Sequence, residues 1–129
     1  MKRVQQKSVY YGDCGVACVA MLAGCTYEHA FNALGFNDEH GEYYYTRHFH
    51  LFDALNRLGF IVQRKHFCSW NDVGGHAIVA VNHTQYGYWH WVAFDGSAIL
   101  DPKPNRPGRK TDFRGLKGRG IYFSMMKPL

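Results

Sequence analysis

"TRHFHLFDALNRLGFIVQRKHF", residues 46–67, contains the change of period on which the fold turns. Up to Leu58 the apolar residues recur at helical spacing. Phe49, Phe52, Leu55 and Leu58 share one side, Thr46 opens the segment and Gly59 stops it. From Phe60 the run "FIVQRKHF" is short, aromatic and β-branched, the pattern of a strand.

The same contrast holds on either side. Upstream, residues 14–23, "CGVACVAMLA", read as a helix with Asp13 at the N-cap position and Gly24 as the stop. Thr26 then caps "YEHAFNALG", which ends at Gly35, and a polar, aromatic loop, "FNDEHGEYYY" (36–45), follows. Downstream, "HAIVAVN" (76–82), "YWHWVAF" (88–94), "SAILD" (97–101) and "IYFSMM" (121–126) read as strands, with a loop-like stretch over 103–120. Helices come first and antiparallel strands second, which predicts an α+β fold, N-terminal helices packed on a C-terminal sheet. No repeat or internal boundary divides the chain, so residues 1–129 are expected to form one domain.

Composition bounds the function. Apolar residues make up 47% of the chain, which excludes disorder, and no run approaches a membrane span. Four cysteines without an apolar segment after "MKRVQQKSVYY" read as reduced thiols in a cytoplasmic protein. Zinc is disfavoured, because there is no CxxC pair and "HFH" (48–50) sends its imidazoles to different helix faces. No cofactor is implied.

The informative local geometry lies in "YWHWVAFDGSAILDP", residues 88–102. Asp95-Gly96 between two apolar runs predicts a two-residue hairpin loop. That register sets Phe94 opposite Ser97, Val92 opposite Ile99 and His90 opposite Asp101. A carboxylate on one ring nitrogen selects the imidazole tautomer and leaves the other nitrogen free as a base. Trp89 and Trp91 point away from His90 and read as core on the back of the sheet.

Cys14 is the candidate partner. A thiol at a helix N-terminus meets the positive end of the dipole and unpaired N–H groups, which stabilise thiolate and can bind an oxyanion. Cys18, one turn further in, reads as a buried hydrophobe. Cys25 and Cys68 have no evident partner.

With "GDCGVACVAML" near the N-terminus and "HWVAFDGSAILDP" later, the chain resembles the C39-like peptidases, a branch of the papain-like cysteine peptidases known from bacterial transporters and from stand-alone bacterial and phage proteins. The resemblance spans about residues 5–102. It implies a papain-like fold and hydrolysis of a peptide or isopeptide bond in a protein or peptide substrate, through a Cys-His-Asp triad and a thioester. It assigns Cys14 as nucleophile, His90 as general base and later acid, and Asp101 as the group that orients His90. The Cys14 N–H and a glutamine side chain form the oxyanion hole. The family glutamine stands six residues before the cysteine, where this chain has Ser8. Gln6, eight before, takes the role if "KSVYYG" bulges by two residues; Gln5 is nine before. The same triad also serves deamidases and transglutaminases.

A different class of function comes from charge. The formal net charge is +5 and residues 103–119 hold seven basic residues against the single acid Asp112. Such a segment could make the chain a non-catalytic module that binds nucleic acid. With only Phe113 to stack on bases, the segment reads first as a solvated excursion before the last strand.

Overall fold

A computed structural model describes residues 1–36 and 43–126. Three helices, α1 (Cys14–Ala23), α2 (Tyr27–Ala33) and α3 (His48–Arg57), precede five strands. The strands are β1 (Val62–His66), β2 (His76–Val81), β3 (His90–Asp95), β4 (Ile99–Leu100) and β5 (Ile121–Met125). They form one antiparallel sheet in the order β1-β5-β2-β3-β4. The α+β class is as expected. The insertion of β5 between β1 and β2 joins segments with no local relation in sequence. Part of the polar loop, residues 37–42, lies outside the described residues.

α1 is a core helix. Cys14 through Leu22 are all buried, and their small side chains let β3, α2 and α3 approach it from several sides. Its expected stop holds: Gly24 is left-handed (φ +68) and donates its N–H to Ala20 O. Thr26 caps α2 as expected, its Oγ1 accepting from the His29 N–H at 3.1 Å.

The start of α3 differs. The helix begins at His48, and the N–H of its cap residue Arg47 donates to His50 Nδ1 at 2.8 Å. Thr46 stays outside and is committed to a tertiary contact, its carbonyl accepting from Trp91 Nε1 at 3.3 Å. The buried face of α3 is Leu51, Ala54 and Leu55, whereas Phe49 is exposed. No described single helix is long and apolar enough to cross a membrane.

Both faces of the sheet are covered, which is why β2 is apolar at almost every position rather than alternating. Ile78, Ala80, Trp91, Ala93, Leu100 and Phe123 face the helices. Ala77, Val79, Val81, Val92, Phe94 and Ile99 form a second core on the other side. The segment after β4 is mostly exposed, as expected of a solvated excursion, but it is also anchored on this second core. It lies across that face, with Leu116 buried and Phe113 stacked on Trp70 at 5.5 Å between ring centroids. Trp70 Nε1 donates to Leu116 O (2.8 Å), and isolated bridges join Ile99 to Lys110 and Val81 to Gly118. An apolar sheet face cannot be left in water, so the basic segment supplies its cover.

Candidate active site

Cys14 opens α1, where the first-turn N–H groups have no partner within the helix. Its sulfur is seated by β3: the Trp91 N–H points at Cys14 Sγ across 3.5 Å. Beyond the Ala93–Leu100 pair β4 ends, so this edge donor of β3 meets the thiol instead of a strand. Gly15 lets the neighbours come this close. A Cβ there would overlap Thr46 Oγ1 and lie 3.2 Å from the Trp91 ring.

Asp13 occupies the N-cap position, but its side chain makes no cap bond, which corrects the expected capping role. The carboxylate is fully buried and accepts from the Lys7 N–H (2.7 Å), the Tyr27 hydroxyl (2.7 Å) and Gln6 Nε2 (3.2 Å). A buried charge needs such donors, and three of them outweigh one helix N–H. Burial first, and then the bond to Asp13, raise the Tyr27 pKa.

Gln6 reaches this site through the turn that precedes it. Ser8 Oγ accepts from the Tyr10 N–H (3.2 Å) and caps a 3-10 turn over Val9–Tyr11, which closes at Gly12 in the left-handed region (φ +66). The turn lies between Gln6 and Cys14. Gln6 is buried, and its N–H donates to Pro102 O at 2.8 Å. Its Nε2 donates to Asp13 Oδ1 and, at 3.3 Å, to Ser8 O. Gln5 is exposed and accepts only a long contact from Arg3 Nη1 at 3.4 Å.

His90 opens β3, and its Nε2 bonds Asp101 Oδ1 at 2.7 Å. The expected register that led to this pair is wrong by two residues. Phe94 pairs with Ile99 and Ala93 with Leu100, and the Asp95 N–H donates to Ala98 O at 3.0 Å, so the turn falls on Gly96 and Ser97 instead of Asp95 and Gly96. Asp95 continues β3 opposite His76, and its Oδ1 accepts from the Ser97 and Ala98 N–H groups (2.9 and 2.8 Å). These side-chain bonds favour the shifted turn. A shift of two preserves the face, so Asp101 meets His90 on the diagonal.

Burial opposes a charge on His90, but the bond to Asp101 and then the contact with Cys14 push it up to about 9. Asp101 is lowered despite its burial, first by His90 and also by the Lys103 N–H at 2.9 Å and the charge of Arg106. Cys14, His90, Asp101 and Gln6 line one cleft of about 650 Å³. Trp91 is core, as expected, and Trp89, partly buried and packed against the same core, also lines this cleft.

No family model and no curated protein matches the chain.

The other thiols differ from Cys14. Cys18 is fully buried and pushed up, first by burial, then by Cys14 and Asp101. Cys25 is half-buried and pushed up by burial, and Cys68 is exposed. Among the described residues no three His, Cys, Asp or Glu side chains are grouped to hold a metal ion. Chemically, the cleft offers a sulfur nucleophile, a base oriented by a carboxylate, and helix N–H donors beside the sulfur. The Trp91 N–H and the Asp13 hub had no sequence signal, since both depend on which segments pack together.

Proposed function

We propose that this chain is a papain-like cysteine hydrolase of C39-like type that cleaves a peptide or isopeptide bond. The observation that carries the reading is His90, held through Nε2 by Asp101 at 2.7 Å and lining one cleft with Cys14 at the start of α1. The nucleophile on a helix N-terminus and the His–Asp pair on an adjoining sheet fit that type.

The chemistry follows from the positions. With His90 holding the proton, Cys14 Sγ attacks the carbonyl carbon as thiolate. The oxyanion is taken by the Cys14 N–H and by Gln6 Nε2, which exchanges its long bond to Ser8 O for it. His90 gives its proton to the leaving amine, and the acyl group stays on sulfur as a thioester. His90 then draws a proton from water, whose oxygen attacks the thioester, and the acid departs as the thiolate–imidazolium pair re-forms.

The test is alkylation by iodoacetamide near neutral pH, with each cysteine followed by peptide mapping. Fast modification of Cys14 over Cys18, Cys25 and Cys68, lost in His90→Ala, is expected. Equal, slow labelling of all four would overturn the reading.

A further inference from the structure

The cations of the segment after β4 are not equivalent. Its acid Asp112 is held by Arg114 through a forked pair (2.7 Å at the shortest), and Arg109 binds Asp95 at 2.8 Å. Lys103, Arg106 and Lys110 instead line the cleft that holds Cys14, and among the described residues none of them forms an ion pair, although Lys110 Nζ donates to Arg114 O at 3.3 Å. Among the described residues the one acid that lines the cleft, Asp101, is committed to His90 and the Lys103 N–H. Among the described residues the cleft therefore has three positive side chains and no free negative one.

Their position has a direction. Lys103 and Arg106 follow Asp101 in the chain, the Lys103 N–H bonds its Oδ1 and the Arg106 charge acts on it, so they line the cleft on its Asp101 side. In the proposed hydrolysis His90 protonates the leaving amine, so the leaving half of the substrate lies on that side of the sulfur. We infer that Lys103, Arg106 and Lys110 select a substrate bearing a carboxylate on the leaving-group side of the scissile bond. The inference rests on the hydrolase reading. Phosphate of a nucleic acid fits the site less well, because Phe113, the segment's one aromatic ring, is stacked on Trp70 and unavailable to bases.

Two haloacetates of the same reactive group test the charge without need of a substrate. Wild-type protein is alkylated with anionic iodoacetate and neutral iodoacetamide, with exposed Cys68 as the internal reference. The iodoacetate-to-iodoacetamide rate ratio is expected to be higher at Cys14 than at Cys68. Because protonated His90 also attracts an anion, the deciding variant is Arg106→Gln with Lys110→Gln. It should lower the iodoacetate rate at Cys14 roughly fivefold at low salt, with iodoacetamide unchanged. An unchanged ratio in the variant would overturn the inference and leave the hydrolase reading intact. Slow iodoacetamide labelling of Cys14 in the wild type would instead strike the hydrolase reading and, with it, this inference.

Digestion of a peptide library, with C-termini free or amidated, separates the two sources of carboxylate. Cuts followed by Asp or Glu regardless of amidation assign a side chain, and cuts near the end that vanish on amidation assign the terminus. Neutral or basic residues there, or protection of Cys14 by an oligonucleotide and not by an acidic peptide, would overturn the inference.

Discussion

His90 Nε2 and Asp101 Oδ1 lie 2.7 Å apart on the diagonal of the β3–β4 hairpin. A diagonal pair leaves the backbone beside it free. Asp101 O accepts from Arg3 Nε (2.8 Å), and the next carbonyl, Pro102 O, accepts from the Gln6 N–H (2.8 Å). The chain that carries the carboxylate is thus also the chain that anchors the segment bearing Gln6.

Loss of the carboxylate should be visible on His90 itself. In Asp101→Asn the ring should titrate well below about 9, because burial then opposes its charge with less to offset it. Histidine ring resonances followed by NMR across pH 5–10.5 check this. The stability linked to this proton has a definite sign. A value raised from the ordinary ~6.5 contributes fully below ~6.5 and is lost as pH rises through about 9. The loss of stability in His90→Gln should therefore be greatest near pH 6 and shrink by pH 10, as read by thermal unfolding.

The two glutamines should separate cleanly. Gln6→Ala should lower turnover of any substrate found by roughly 10²-fold, the scale of one lost oxyanion donor, with little change in iodoacetamide labelling of Cys14. Gln5→Ala, at an exposed position, should leave both unchanged. The reverse ranking would remove Gln6 from the oxyanion site.

Gly15→Ala sets two effects against each other. Alanine favours the helix by up to about 1 kcal/mol, but the new Cβ would overlap Thr46 Oγ1, and overpacking costs about 1–3 kcal/mol. Net destabilisation in urea unfolding is expected, and it should lessen in a Thr46→Ala background. Equal costs in both backgrounds would show that Thr46 is not the obstacle.

The cover over the second sheet face can be loosened from its aromatic contact. Phe113→Ala removes the stack on Trp70 and the edge contact with Phe94, at about 2 kcal/mol for a half-buried ring. Hydrogen exchange at the Lys110 amide, which donates to Ile99 O at 2.8 Å, should quicken. Unchanged stability and exchange would mean that the segment is held by its backbone bridges alone.

Local pattern determined a good deal here. The period break at Gly59 placed three helices before five strands, and the small, apolar run after Asp13 put Cys14 at a helix start. Alternation along β3 and β4 put His90 and Asp101 on one face, a parity that survives the two-residue error in register. These properties repeat every two or 3.6 residues, so a short window of sequence carries them. Contacts between distant segments were set by the packed chain as a whole. Asp13 turned from cap to buried hub because Lys7, Gln6 and Tyr27 converge on it. A 3-10 turn brought Gln6, not Gln5, to the cleft. The basic segment became a cover because β2 and β3 present apolar side chains on both faces. Each outcome depends on which partners are available in space, and such competition between distant donors, acceptors and apolar faces is resolved only when the whole chain packs.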